Sequence, residues 1–335
     1  MIVTIVFNLI SPNIGWIFKL FFRNDLFNSH ELNRLSKGYK LMFSYIDTFS
    51  VRLHRLNLCL SLFLLLFLNC SAHSQDSQFL STNINYSENS KTVNIEELTW
   101  PELKAKINKG FTTVIVPTGG TEQGGPHLAL GKHNFVIKKT AQQVALNVGH
   151  VLVAPVLAYV PEGEFTKPSG NLLYPGTLGV SDDTFSKVLI DISVSLYMSG
   201  FKCIAFLGDH GQSIEIQSLV AKSLNEQWKS LGVRVINLDS YNDAILEESV
   251  LVEAKIDPKN WGQHAGIADT SQLIAVRPSA VRKELLDQKN LSNFKDSGAS
   301  GRADLSTNSL GSKMLVLRQA AATEQLKSFL LETSH

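Results

Sequence analysis

Residues Val114–Asn134 read VIVPTGGTEQGGPHLALGKHN. This stretch combines a predicted strand with a polar, glycine-rich loop. The apolar run Val114–Val116 is typical of a buried strand, and a glycine-rich turn ends it. Glu122, His127 and His133 follow in a segment that is poor in other charges. Carboxylates and imidazoles are the ligands that divalent transition metals prefer. A polar turn with two solvent-facing histidines is the alternative for this stretch taken alone.

Composition excludes some classes of function. The chain has 335 residues and a formal net charge of +1, so it has no electrostatic footprint for nucleic acid. Its apolar content is sufficient for a sizeable core. The three cysteines, Cys59, Cys70 and Cys203, have no metal-binding spacing. Cys203 lies in an apolar run and is interpreted as a small buried core residue.

Residues 1–74 are interpreted as an N-terminal extension with a signal peptide. The apolar run Leu56–Leu68 follows basic residues and is short for a membrane span. Met42 would then be the true start, and the mature protein would be periplasmic or secreted, with no stable membrane span. A membrane anchor is the alternative, because Met1–Phe22 is also apolar. Residues 75–92 are rich in serine and asparagine and are interpreted as a linker.

Residues 93–335 have the pattern of one α/β domain. The predicted strands are Val114–Val116, Val151–Pro155, Cys203–Leu207 and Val233–Leu238, and the predicted helices include Asn134–Val148, Thr184–Ser199, Ile214–Leu231 and Met314–Leu331. This alternation predicts a three-layer α/β/α sandwich with a mostly parallel sheet. In such sheets, ligands bind outside the carboxyl ends of the strands.

Two further polar clusters fit a site at that edge of the sheet. Asp209, His210 and Gln212 follow a predicted strand, with glycines between them. His264 also lies between glycines, and Asp269 follows it. Three clusters of this kind favour a metal or catalytic centre over unrelated surface histidines.

Four segments, in this order, resemble the motifs of the creatininase (creatinine amidohydrolase) family. They are Glu122–Ala129, Pro175–Leu178, Gly208–Ser213 and His264–Ser271. The resemblance implies a metal-dependent amidohydrolase that hydrolyses a carbon–nitrogen bond of a small amide or cyclic amide. It also implies a homo-oligomer, since creatininase relatives are commonly hexamers.

The resemblance assigns roles to individual residues. It implies that Glu122, His133 and His210 bind the metal, with Asp269 or water completing the site. Glu122 and His264 are the implied catalytic residues, and His264 matches the family's proton-transfer histidine.

Three departures from the family motifs concern the metals. Gly124 stands where the family has a metal-binding histidine, His133 where it has a bridging aspartate, and Gln212 where creatininase has a carboxylate. Because neutral histidine bridges two metals poorly, the sequence predicts one divalent ion rather than two. Zn²⁺ is the first choice, with Mn²⁺ or Fe²⁺ as alternatives.

The residues around the centre are interpreted as supporting it. His127 is predicted to orient a ligand, with direct metal binding as the alternative, and Asp209 to orient His210 or to bind metal. Lys132 is interpreted as a partner for a substrate carboxylate or as a surface charge. Glu162 and Glu164 lie in the long loop Tyr159–Thr177, for which solvated side chains are favoured over substrate contacts.

Two other functions remain open at this point. A peptidase or formamide hydrolase on the same fold is one alternative. A catalytically degenerate ligand-binding protein is the other, because two usual metal ligands are missing.

Overall fold

The computed structural model describes residues 91–286 and 294–332. The predicted N-terminal extension, signal peptide and most of the linker lie outside these residues, and those interpretations stay predictions. Within the described part of the chain, no helix is both long and apolar enough to span a membrane.

Four strands alternate with helices along the chain. In order, they are α1 (Trp100–Asn108), β1 (Thr113–Thr118), α2 (Lys132–Val148), β2 (Val151–Val153), α3 (Asp182–Met198), β3 (Cys203–Gly208), α4 (Gly211–Gln227), β4 (Arg234–Asn237), α5 (Ile245–Glu253), α6 (Ile267–Val276), α7 (Phe294–Ser297) and α8 (Asn308–Leu331). Short 3₁₀ helices occupy Ile95–Glu97, Gly170–Leu173, Lys229–Leu231, Asp239–Asn242, Pro258–Asn260, Pro278–Ala280, Lys283–Leu285 and Ala303–Leu305.

The strands form one parallel sheet in the order β2-β1-β3-β4. The chain therefore leaves β1 toward one edge of the sheet and leaves β3 toward the other. Thr118, the last residue of β1, lies opposite Gly208, the last residue of β3. This is the point at which the strand order reverses, where open α/β sheets bind their ligands.

Helices cover both faces of the sheet. Val114 and Val116 contact one apolar cluster, to which α3 and α4 contribute Phe185 and Leu224. Ile115 points to the opposite cluster, built largely by α2 and α8 and containing Cys203. Successive strand residues alternate between the two faces of the sheet, and both faces are excluded from solvent. The predicted three-layer α/β/α fold is confirmed, and Cys203 is buried as expected.

The turn after β1 requires a glycine. A Cβ on Gly119 would lie 2.0 Å from Asn134 Oδ1, so any other residue would displace α2. The same Asn134 oxygen accepts the backbone N–H of Gly120 at 3.0 Å. The glycines thus dock the loop that carries Glu122 against the start of α2.

Some element boundaries differ from the predicted ones. α2 begins at Lys132 rather than Asn134, which places His133 in the first helical turn. α8 begins at Asn308, where the Thr307 hydroxyl caps it by accepting the N–H of Leu310. Three helices, α5, α6 and α7, were not predicted from the sequence. They have nine, ten and four residues, so each shows at most a few turns of apolar pattern.

Candidate metal centre

The predicted site residues converge at the switch point of the sheet. Glu122 lies in the loop after β1, and His210 follows β3. His133 reaches the same place from the first turn of α2. Single ligand atoms from these three residues lie within 4.8 Å of one another, and all three residues are buried. They form the candidate metal cluster of the described residues.

Glu122 is the hub of the cluster. Its Oε1 lies 2.8 Å from His133 Nε2 and 2.9 Å from Lys132 Nζ. Its Oε2 lies 3.3 Å from His210 Nε2 and accepts a hydrogen bond from the Asn171 amide. Burial opposes ionisation of Glu122. The Lys132 ammonium and the two histidines outweigh that effect and hold its pKa far below the usual range.

Asp209 orients His133. Its Oδ2 lies 2.7 Å from His133 Nδ1, which fixes the ring with Nε2 facing Glu122. A carboxylate behind a histidine in this way is the usual second layer of a metal site. The prediction that Asp209 would orient His210 was wrong, because neighbouring side chains at the end of a strand point in different directions.

His210 faces two carboxylates. Its Nε2 lies 3.3 Å from Glu122 Oε2 and 3.3 Å from Glu162 Oε2. Glu162 is only 2% exposed, and neither of its oxygens has a well-oriented hydrogen bond within the described part of the chain. Glu162 was expected to be solvated, and that was wrong. Glu164, two residues on, is exposed as expected.

Lys132 is buried in the centre. Only 3% of the residue is exposed, and its Nζ lies 2.7 Å from His133 Nε2 and 3.3 Å from Asp269 Oδ2. Burial raises the pKa of Asp269, but Lys132 outweighs it and lowers that pKa to about 2. Asp269 also accepts the N–H of Ala265 at 2.7 Å. The interpretation of Lys132 as a surface charge was therefore wrong.

His264 lies on the rim of the cluster. Its Nε2 is 2.9 Å from the backbone oxygen of Gln123, and its Nδ1 is 3.8 Å from Glu122 Oε1. The Gln123 amide nitrogen also lies 2.9 Å from this Nε2, so the carbonyl and the amide favour opposite tautomers of the ring. Burial lowers the pKa of His264, which favours a neutral ring.

A cavity of about 480 Å³ opens onto these residues. Its lining includes Glu122, His133, His210, His264 and Gln212. Gln212 is exposed on the first turn of α4, so it faces the cavity without a contact to the cluster. The volume is within the range of small-molecule sites.

His127 lies behind the centre. It is completely buried, and its Nε2 lies 3.0 Å from Thr270 Oγ1. Burial lowers the pKa of His127 to about 4, so the ring is neutral. His127 contacts α6 rather than the three-residue cluster, and its predicted orienting role stays a prediction.

Several side chains that support the centre were not predicted from the sequence. Arg318 Nη2 lies 3.1 Å from Asp209 Oδ1, and the Tyr241 hydroxyl donates to the same oxygen at 2.7 Å. Asn171 contacts Glu122 from the long loop. No motif marks these residues, because each comes from a distant segment of the chain.

The residues present fit a divalent cation. Five carboxylates are linked by ion pairs around the cluster, from Glu122, Glu162, Asp209, Glu247 and Asp269, whereas within the described residues Lys132 and Arg318 supply the permanent positive charge that pairs with them. A divalent ion would offset part of the difference, and protons on the histidines would do so in its absence. One carboxylate and two imidazoles are also the ligand set of many catalytic zinc sites.

The pKa of His210 predicts opposite pH dependences for the metal-free and metal-bound protein. Burial lowers this pKa, but Glu122 and Glu162 outweigh it and raise it to about 9. A histidine that is more basic when folded stabilises the fold below its unfolded pKa of about 6.5, and this contribution is lost as pH rises toward 9. We therefore expect chelator-treated protein to lose thermal stability between about pH 6.5 and pH 9.

Zinc affinity should change in the other direction. The proton on His210 must leave before the ion binds, so affinity should rise by up to about tenfold per pH unit until about pH 9. Chelator competition over this range measures it. His210→Gln serves as the control, because it should flatten both profiles. If the melting temperature of the chelator-treated wild type did not change over this pH range, the assignment of a proton to His210 would be contradicted.

The fold and site define an α/β protein with a carboxylate–imidazole centre at the switch point of a parallel sheet. A family model for creatininase, described as creatinine amidohydrolase, matches residues 96–326. The match covers more than half of the chain, which therefore belongs to the creatininase family.

Curated relatives include proteins with different substrates. The chain is 26% identical to creatinine amidohydrolase of Pseudomonas putida over 198 residues, which cover 57% of this chain and 75% of that protein. It is 26% identical to 3-dehydro-scyllo-inosose hydrolase of Thermotoga maritima over 193 residues, covering 57% and 58%. The mycofactocin precursor peptide peptidase of Mycolicibacterium smegmatis is 29% identical over 126 residues, covering 36% and 47%.

Solved structures agree on the fold. A crystal structure of creatininase aligns with a TM-score of 0.58 at 21% identity and covers 71% of this chain and 98% of the other. Similar creatininase structures include a Mn form and a Zn-Zn form of a mutant. A putative creatinine amidohydrolase of Bacteroides fragilis aligns with a TM-score of 0.53 at 16% identity, covering 73% and 97%.

Proposed function

We propose that this protein is a metal-dependent amidohydrolase that cleaves a carbon–nitrogen bond of a small amide or cyclic amide. The observation that supports it most is the convergence of Glu122, His133 and His210 beside His264 at the switch point of the sheet. Family membership adds to this support, since its model is described as creatinine amidohydrolase. Zn²⁺ is the ion that we propose, with Mn²⁺ as an alternative.

The cluster would hold the ion through the Glu122 carboxylate and the Nε2 atoms of His133 and His210. When bound, such an ion lowers the pKa of a coordinated water and polarises the scissile carbonyl. Asp209 keeps His133 in the required tautomer through the 2.7 Å contact at Nδ1.

His264 is the residue that we propose for proton transfer. Its Nδ1 lies 3.8 Å from Glu122 Oε1, and the residue is only partly buried on the wall of the cavity. A neutral imidazole in this position accepts a proton and passes it to the leaving nitrogen. Glu122 is held ionised by Lys132 and the two histidines, so we assign it to holding the ion.

The cavity supports a small substrate. Its volume of about 480 Å³ suits a ring or short amide rather than a folded chain. Polar groups such as Asn171 and Gln263 line it and provide donors and acceptors for an amide. A peptidase is the second candidate, because two curated relatives are mycofactocin precursor peptide peptidases.

The test combines metal content with a substrate panel. Elemental analysis of the purified protein should find about one Zn²⁺ or Mn²⁺ per chain, and His133→Ala should lose it. The metal-loaded protein should hydrolyse at least one compound in a panel of cyclic amides, linear amides and formamides, and His264→Gln should be much slower with its ion retained.

His150→Gln is the matched control, because His150 is exposed and stacks on Phe111 outside the three-residue cluster. Cleavage of peptides alone would favour the peptidase. A protein that holds its ion and binds ligands from the panel without turnover would be the degenerate binding protein, and the proposal would fail.

A further inference from the structure

The Lys132 side chain occupies a cation position inside the candidate metal centre. Its Nζ lies 2.9 Å from Glu122 Oε1, 2.7 Å from His133 Nε2 and 3.3 Å from Asp269 Oδ2. These three atoms surround the ammonium group, and two of them belong to residues of the metal cluster. The lysine and a metal ion therefore share ligands.

The local structure does not otherwise favour a lysine here. Lys132 is the first residue of α2, where the helix dipole disfavours a positive charge. It is also 3% exposed, and burial of an ammonium group is costly unless it is paired. Contacts with the centre are what hold the charge in place.

Gly124 lies beside the lysine stem. A Cβ on Gly124 would lie 3.4 Å from both Cδ and Cε of Lys132, which is an ordinary van der Waals distance, and 2.9 Å from Leu128 Cβ. A side chain at position 124 would therefore pack directly against the lysine stem and would also displace Leu128. Gly124, which stands where the family motif has a histidine, leaves this space beside the stem open.

We propose that the Lys132 ammonium is a resident cation of the centre, which takes the place of a second divalent ion and limits the centre to one. The inference rests on the metal centre of the proposed function. Lys132 neutralises Glu122 and Asp269 as an ion would, and it repels a second ion at the shared ligands. It is a positioning residue, since its Nζ lies against side chains of the centre.

The zinc affinity of Lys132→Met tests this role, because a rise and a fall in affinity have opposite meanings. Removing the charge while keeping most of the stem should tighten Zn²⁺ binding at least about tenfold, because a positive charge close to the ion disappears. If Lys132 instead held the ligands in position for the ion, the same substitution would weaken binding. Calorimetry with a competing chelator distinguishes these two results.

Lys138→Met is the matched control. Lys138 lies on the same helix, but it pairs with Glu96 at the surface, where the two side chains are 48% and 40% exposed. Its removal should leave zinc affinity within about twofold of the wild type, because solvent and salt screen exposed charges.

Lys132→Gln is the second variant, in case Lys132→Met does not fold. Its amide keeps N–H donors without the charge, and the same gain in affinity is expected. The rise in melting temperature on adding Zn²⁺ should also be larger for both variants than for the wild type.

Unchanged or weaker binding in these variants would overturn the role of Lys132. Absence of zinc binding in the wild type and both variants would overturn this inference together with the proposed function. Tighter binding in Lys132→Met, combined with no hydrolysis by the wild type, would support the resident cation while the proposed activity fails.

Discussion

Glu122→Gln is expected to abolish hydrolysis and to weaken metal binding by more than about 100-fold. Residues behind a metal ligand typically contribute 10–100-fold to affinity or activity, and the ligand itself contributes more. Glu122 contacts both histidines of the cluster and Lys132, so the amide removes the only carboxylate that the three share. Chelator competition measures the affinity, and turnover of an identified amide measures the activity.

The folded state must be checked separately, because Glu122→Gln also leaves Lys132 with Asp269 as its only ionised partner. Circular dichroism and the melting temperature of the metal-free variant provide that check. Glu164→Gln is the matched control, since Glu164 is exposed in the long loop and contacts only its neighbour Thr166 among side chains. A Glu122→Gln protein that is folded, active and metal-bound would contradict the assignment of the centre.

Arg318→Met is expected to lower the free energy of unfolding by about 3–5 kcal/mol, the usual cost of removing one partner of a buried ion pair. Arg318 is 7% exposed and lies 3.1 Å from Asp209 Oδ1 and 3.0 Å from Glu247 Oε1. Its guanidinium carbon also lies 3.8 Å above the Tyr241 ring. Without it, Asp209 loses the guanidinium that balances its charge, and its side chain keeps only its contacts with His133 and Tyr241 among the described residues.

Urea unfolding of the metal-free protein measures this loss. Lys313→Met on the same helix is the control. Lys313 pairs with Glu253 at 2.7 Å, but the two side chains are 52% and 66% exposed. Exposed pairs contribute about 1 kcal/mol or less. A similar, small loss in both variants would show that Arg318 does not support the centre.

Arg318→Met should also weaken metal binding, through its effect on His133. Asp209 would lose its cation and relax, and the His133 ring that it orients would be less well fixed. Zinc affinity should therefore fall in Arg318→Met, whereas Lys313→Met should leave it unchanged.

The sequence alone determined the fold and the three residues of the candidate metal cluster. Apolar runs that alternate with helical periodicity are sufficient to predict a parallel sheet covered on both faces. Glu122 and His210 each follow a strand within a few residues. The two strands are neighbours in the sheet, so its topology alone brings the two residues together. His133 was also predicted, although the structure places it in a helix rather than in a loop.

The tertiary structure decided which charges surround those ligands. Glu162 was expected in solvent because its loop is rich in glycine and proline, yet the loop folds back and buries it beside His210. The residues next to Lys132 in the sequence do not show whether its side chain faces solvent or the centre. The orientation of α2 shows that its ammonium points into the centre. Arg318 lies near the end of the chain and carries no motif.

These contacts depend on how helices are rotated and how loops return, which is set by packing between segments far apart in the sequence. Local patterns specify which residues form an element and which face of it is apolar. They do not specify which polar side chain from a distant segment will meet a buried carboxylate. For this reason the candidate cluster was predictable from the sequence, whereas the charges that surround it were not.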